Sequence, residues 1–409
     1  MATRALRHGR PIWLRMDQRQ RVRRFPPLNG HHDVEVAIIG GGMTGAMIAA
    51  HFASSGVRVA VLEASRGGSG STAASTALLL QEPDLDLSSL AKRYGPSASR
   101  RIWELSFAAA RRLAGSFVKA KIACDLRYRD SVYFTKSPER ARLLQRELAA
   151  RHDAGLPGEW LSPWRVRDLT GLTAAGAIRT RGNAQLNPYR ACLGLLDAAD
   201  RDGAAIFERS RVRRIQQRPR GVRLHTRRGS IDAAQVVIAT GYATREFRPL
   251  AGRFQMRHTF VLATHPLTRR DRLEVGLGPV MLWDTERPYH YVRWTPDHRL
   301  LLGGADRPST PRVRTMFSEG ARDLRDYFET HVPALARVGI DYAWDGLFAI
   351  TPDGLPYIGP HRRYPRHAFA LGYGGNGMTF AWMAAQILLE QWKGIASSDH
   401  QLFGFGRGR

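Results

Sequence analysis

Apolar and polar positions fall into two alternating periods along this chain. Residues 35–39, EVAII, read as a short strand whose apolar run after Glu35 is of the kind that burial on both faces requires. GGGMTG follows at once, and MTGAMIAAHFASS after it is small and apolar until Gly56, where a glycine suits a helix end. VRVAVLE then predicts a second strand, so the unit reads strand, glycine-rich turn, helix, strand. Amphipathic helical stretches occupy residues 87–150, interrupted by a strand over 131–135. A helix over 188–199 leads through Gly203 into three strands, AIFERSRVRRI, VRLHTRRG and AAQVVIATG. Residues 254–304 are rich in strand pattern, with 289–294 and 299–302 joined by a turn at Pro296 and Asp297. A glycine-rich loop and a helix over 378–392 close the pattern, and no internal repeat appears.

A chain of 409 residues exceeds what one core comfortably supports, so two domains or one elaborated α/β domain are expected. No apolar run is long enough to span a bilayer. Two cysteines, Cys124 and Cys192, make neither a disulfide framework nor a metal-binding pair, and fit a reducing, cytoplasmic setting; no metal is expected. The net charge of +26 raises nucleic acid as a partner. Only Lys92, Lys119, Lys121, Lys136 and Lys393 are lysines, however, and the arginines are spread along the chain without interleaved aromatics, so nucleic acid is not expected. Residues 1–30 are arginine-rich with one acid, Asp17, and read as a basic arm over the first domain.

Gly40, Gly42 and Gly45 give G-x-G-x-x-G between strand and helix, and Glu63 stands at the end of the next strand. The glycines permit a tight turn, close approach of backbone to a pyrophosphate, and packing of helix on strand. The helix start at Met43 and Thr44 presents free N–H groups to phosphate, and Glu63 can accept from ribose hydroxyls. This cradle serves either adenine dinucleotide, FAD or NAD.

Four further segments resemble the D-amino acid oxidase-like family of FAD-dependent oxidoreductases, which includes the glycine oxidase, sarcosine oxidase and γ-glutamylputrescine oxidase branches. They are GSGSTAAST at 68–76, VVIATG at 236–241, TPDGLPYIG at 351–359 and GYGGNGMT at 372–379. The resemblance covers nearly the whole chain after residue 30. It implies a Rossmann-type FAD domain with an inserted α+β substrate domain built on an antiparallel sheet. The FAD domain is expected in three pieces, 31–115, 181–245 and 345–400, and the substrate domain in two, 116–180 and 246–344. By the same resemblance Ser71, Thr72 and Ser75 pass beside the cofactor, Gly241 ends a strand whose turn closes over the dinucleotide, Val212 lies on the adenine-contacting strand, and Gly375, Asn376, Gly377, Met378 and Thr379 lie under the flavin ring. A helix starting near Met378 would stabilise negative charge on the flavin.

Alternation along PYHYVRW places Tyr289, Tyr291 and Arg293 on one face. Two phenols and a guanidinium suit a substrate carboxylate, while the solvated side of a sheet is the competing reading of that face. His258 and Trp283, on nearby strands, are further pocket candidates. The sarcosine oxidase branch attaches its flavin to a cysteine where this sequence has Gly346, so FAD is expected to be non-covalent. That branch also uses a lysine to activate oxygen, and this sequence has none between Lys136 and Lys393. The implied activity is oxidation of the C–N bond of an amine or amino acid, electrons passing to oxygen or to another acceptor, with no catalytic acid or base assigned. A flavoprotein acting on polyamine conjugates, and an RNA-associated flavoprotein of the tRNA-modifying kind, remain as alternatives.

Overall fold

The computed structural model describes residues 6–16, 23–310 and 313–407, so parts of the 1–30 arm lie outside the described residues. Gly30–Ile39 is the central strand of an eight-stranded sheet. It runs parallel to Val59–Leu62 on one side and to Gly229–Gly241 on the other. Ala205–Phe207 continues the parallel order beyond the first neighbour and Tyr364–Leu371 beyond the second. Tyr357–His361 closes that edge in antiparallel pairing, and the hairpin of Arg214–Arg218 and Gly221–His225 is attached to Gly229–Gly241.

Parallel neighbours need a crossover, and Met43–Ala53 supplies it. Its buried Ala46, Met47, Ala49 and Phe52 join Val36, Ile38, Val59 and Val61 in one core. Gly45 makes this close approach possible, because a Cβ there would stand 1.8 Å from the Gly40 carbonyl oxygen. Pro188–Arg201 and Gly377–Trp392 pack beside the same helix.

Nine strands form the second sheet. Starting from one edge they run Ile340–Ile350, Gln255–Thr264, Leu300–Pro308, His290–Trp294, Met281–Asp284, Arg127–Thr135, Gly176–Gln185 and Leu78–Leu79, with Glu159–Leu161 also paired to Gly176–Gln185. All pairs are antiparallel except Met281–Asp284 with Arg127–Thr135. Val313–His331 covers this sheet, burying Leu324 and Phe328 against Phe260, Leu262 and Leu302. Residues 181–185 and 345–350, expected among the cofactor-side pieces, are thus ends of long strands in the second sheet.

Two expectations change. AIFERSRVRRI is not one strand: Ala205–Phe207 and Arg214–Arg218 are separated where Glu208 turns inward to accept the Gly67 N–H and Ser210 donates its N–H to the Glu63 carbonyl. The basic arm does not simply lie over the first domain. Gly9 bridges Trp344 in antiparallel register, and Leu347 N donates to Leu6 O at 2.9 Å, so the arm extends the free edge of the second sheet. Ile12 and Trp13, both buried, fasten it. No helix of the described residues is long and apolar enough to cross a membrane.

Candidate active site

A single cavity of about 1740 Å³ runs from the turn after Gly30–Ile39 to the second sheet. Gly40, Gly42, Met43 and Thr44 line one end, with Gly42 capping Met43–Ala53 without any side-chain hydrogen bond. Gly45 lies behind them as the packing glycine. Glu63 lines the same end, and its carboxylate accepts from Gly41 N at 2.8 Å and Ser65 N at 2.7 Å. Burial raises this carboxyl above the ordinary range, against those two donors. Val212 and Gly241 also face this end, Val212 from the loop before Arg214–Arg218 rather than from a strand.

The small-residue loop crosses the middle. Thr72 Oγ1 accepts from Met43 N at 2.9 Å, tying the loop to the helix start. Ser71 Oγ donates to Leu347 O at 2.8 Å, and Ser75 Oγ accepts from Ala77 N at 3.0 Å. All three line the cavity. A dinucleotide fits these residues: Gly40 and Gly42 present bare backbone to the cavity at a helix start where Thr72 takes the Met43 N–H and Gly42 has no capping side chain. Gly346, also in the lining, sits where a Cβ would meet Ala74 Cβ at 2.9 Å, and neither buried cysteine belongs to the lining.

The loop at 372–379 splits into two roles. Gly375, Gly377 and Met378 line the cavity. Asn376 and Thr379 do not: Asn376 Nδ2 donates to Glu82 O at 2.9 Å and Thr379 Oγ1 to Leu80 O at 2.8 Å. Their side chains anchor the start of Gly377–Trp392 instead of touching a ligand.

At the far end stand Tyr289, Tyr291, Trp283 and Thr259. The Tyr291 hydroxyl meets Thr259 Oγ1 at 3.1 Å. Burial pushes Tyr291 up to about 12 and raises Tyr289 well above the ordinary phenol value, so both phenols keep their protons at neutral pH. Trp283 stacks on Tyr133 at 4.1 Å, and its Nε1 has no partner.

Arg293 and His258 are corrections. Arg293 is 1% exposed and lies outside the cavity, donating to Thr76 O at 2.6 Å and Leu186 O at 2.8 Å. Burial pulls its guanidinium down to about 9. His258, equally buried, donates from Nδ1 to Asp345 at 2.9 Å and meets Ser309 Oγ at 3.1 Å. His8 of the arm donates to the same carboxylate at 2.9 Å. Burial acts to raise the Asp345 carboxyl, yet the two histidine hydrogen bonds hold it below the ordinary range. Each of these atoms is already engaged within the cluster, so His258 secures the arm and does not meet the substrate.

Sequence reasoning missed Asp84, Asp306, Arg257 and Arg287, which line the same cavity as Tyr289 and Tyr291. Gly303 and Gly304 side by side within a strand were the available signal for Asp306, since paired glycines there mark a bulge. Nothing local marked Asp84.

The family model described as FAD dependent oxidoreductase matches residues 35–391. γ-Glutamylputrescine oxidoreductase of Escherichia coli is 28% identical over 384 residues, covering 91% of this chain and 86% of that protein. Glycine oxidase of Geobacillus kaustophilus is 27% identical over 368 residues, covering 88% and 93%. Among solved structures, glycine oxidase from Geobacillus kaustophilus superposes with a TM-score of 0.79 at 23% identity, covering 92% of this chain and 99% of that one. L-proline dehydrogenase from P. horikoshii gives 0.76 at 20% identity, covering 93% and 100%. A match across nearly the whole length, on a fold whose glycine turn, helix start and acid line one cavity, makes this chain a member of the FAD-dependent oxidoreductase family.

Proposed function

We propose that the protein oxidises the C–N bond of an amine or amino acid, using FAD held without a covalent bond. The observation that carries this reading is the continuity of one cavity from the dinucleotide cradle at 40–45 to the aromatic end at Trp283, Tyr289 and Tyr291. Relatives named for γ-glutamylputrescine and for glycine support it, since both names specify an amine or an amino acid. FAD, when bound, supplies the two-electron acceptor for hydride leaving the carbon next to nitrogen. The chain's own part is to bind, orient and shield. The uncapped N-terminus of Gly377–Trp392 offers positive potential to charge developing nearby. Tyr289, Tyr291 and Trp283 wall the reacting carbon from water and offer hydrogen bonds to the substrate.

Gly346 in the lining, and the place of Cys124 and Cys192 outside it, support non-covalent attachment. Two free buried cysteines also support a reducing, cytoplasmic setting. Among the described residues no lysine lines the cavity, and we take an acceptor other than oxygen to reoxidise the cofactor. The visible spectrum of the purified protein, followed by anaerobic addition of amines and amino acids, tests the reading. Flavin bands that one compound bleaches, and flavin released by acid precipitation, are expected. A colourless protein that takes up no added FAD overturns it, and rapid reoxidation in air overturns the choice of acceptor.

A further inference from the structure

Asp306 is turned into the cavity by a defect in its own strand. Between His258 opposite Arg307 and Phe260 opposite Gly304, Leu300–Pro308 carries one residue more than Gln255–Thr264. Ala305 takes φ of 55° at that place, and pairing with His290–Trp294 stops at Gly304. A bulge of this kind re-aims a side chain, and here it aims a carboxylate inward. Asp306 is 8% exposed, it lines the cavity, and its Oδ1 has no hydrogen-bond partner. A buried carboxylate oxygen left unpaired is costly unless something else completes it.

Its surroundings say what would complete it. Thr259 and Arg257 approach from Gln255–Thr264, His290 and the Tyr289 and Tyr291 phenols from the His290–Trp294 side, and Asp84 from the loop below. Arg257 acts on Asp306, and Arg287 on Asp84, only through space, with no ion pair to either acid among the described residues. Asp84 accepts the Gly375 N–H, and its Oδ1 and the Tyr289 hydroxyl lie 3.1 and 2.8 Å from the point where a Gly375 Cβ would stand. Two acids and two phenol oxygens therefore converge on one volume. An ammonium group carries three N–H donors and a positive charge, which the two carboxylates and two phenol oxygens match, while Arg257 and Arg287 on the same lining leave room for an anionic group elsewhere on the substrate.

We propose that Asp306, with Asp84 beside the same Tyr289 hydroxyl, binds the substrate nitrogen as it enters protonated and accepts its proton, freeing the nitrogen lone pair before hydride leaves the adjacent carbon, which makes the substrate an alkylammonium compound. This rests on the amine-oxidising reading above and names the residues that select for the amine. Burial raises both carboxyls to about 6, Asp306 against Thr259 and Arg257, Asp84 against the Gly375 and Asn376 N–H groups. Above that pH both acids are charged and attract the cation. As pH falls through 6 they are neutralised, and affinity for the cation falls with them.

The test uses the FAD-loaded protein and tert-butylammonium chloride, which has no hydrogen on the carbon bound to nitrogen and so cannot be oxidised. Its affinity is compared with that of uncharged tert-butanol by calorimetry and by perturbation of the flavin bands, at pH 8 and at pH 5. We expect the ammonium to bind at least about tenfold more tightly than the alcohol at pH 8, the order expected of a charge-assisted hydrogen bond. The preference should shrink at pH 5 and disappear in Asp306→Asn, whose flavin bands stay intact. Equal binding of cation and alcohol in the unmodified protein, or an undiminished preference in Asp306→Asn, overturns the assignment. Selective ammonium binding without bleaching by any amine upholds the assignment and overturns the amine-oxidising reading. Bleaching without selectivity does the reverse.

Discussion

The indole N–H of Trp13 donates to the backbone carbonyl of Ser75 at 2.8 Å. A residue of the N-terminal arm thereby grips, from outside, the loop whose inner side lines the cofactor cavity. Trp344 does the same one residue earlier, donating to Ala74 O at 2.9 Å, and Arg7 Nε donates to Ser69 O at 2.8 Å. The arm therefore clamps the loop while pairing with the edge of the second sheet.

Trp13→Ala should cost about 3–5 kcal/mol of stability, as truncation of a buried tryptophan does. It should also weaken FAD retention, because the loop loses its outer support. Thermal unfolding with and without added FAD, together with the FAD content after gel filtration, measures both. Full FAD retention in a destabilised variant would confine the arm to a packing role.

The cradle makes a sharper demand. A methyl group on residue 45 would stand 1.8 Å from the Gly40 carbonyl oxygen, and neither backbone segment can yield without displacing the helix start. Gly45→Ala should therefore purify without flavin, or unfolded. Gly115→Ala is the control: beyond its chain neighbours and the adjoining turns of its own helix nothing lies within 4 Å of the added methyl, and the position is inside the Pro96–Lys119 helix. It should keep its flavin and gain about 0.5–1 kcal/mol from helix propensity. Spectra and melting curves of the two variants side by side decide the matter.

What the sequence disclosed was what chain neighbours determine. Gly40, Gly42 and Glu63 lie within one strand, turn, helix and strand unit, so spacing alone brought them to one end of the cavity, with Gly45 packed behind. Alternation puts Tyr291 and Arg293 on one face of their strand. It could not say how that face divides along its length: Tyr291 opens on the cavity, while Arg293 is roofed by Thr76 and Leu186 from distant parts of the chain. Asp84 and Asp306 stayed hidden for the same reason. A bulge and a loop contact, both set by tertiary packing, bring them to one pocket.

Arg293 accordingly carries a prediction about folding and not about substrate. Its guanidinium satisfies two buried carbonyls and lies over the Trp13 ring at 5.2 Å, with no carboxylate in the contact. Arg293→Lys, which lacks the fork that reaches both carbonyls, should lower the melting temperature. The KM for amino-acid substrates should change less than about twofold, far below the loss expected when a charged hydrogen bond to substrate is removed. A large rise in KM at unchanged stability would return Arg293 to the substrate.

Acid stability is tied to the proline-rich turn at 351–359. Arg407 grasps Asp353 with two hydrogen bonds, Nε to Oδ2 at 2.7 Å and Nη2 to Oδ1 at 3.0 Å, and Tyr94 donates to the same carboxylate. Both charged side chains are nearly buried, and Arg407 also lies 3.8 Å over the Tyr357 ring. Burial acts to raise the Asp353 carboxyl, but Arg407 and Tyr94 hold it far below its ordinary value. A carboxyl whose pKa is depressed by folding contributes stability that is fully present above its unfolded pKa, about 4, and is lost as pH falls toward the folded value. Asp353→Asn removes that contribution and leaves Arg407 buried without a counter-charge, costing about 3–5 kcal/mol at neutral pH. The variant should therefore be less stable than the unmodified protein at pH 7, and the gap should narrow below about pH 4 as the unmodified protein protonates Asp353. Urea unfolding midpoints of the two proteins across that range measure the gap, and a difference independent of pH would show that the clamp works by shape and not by charge.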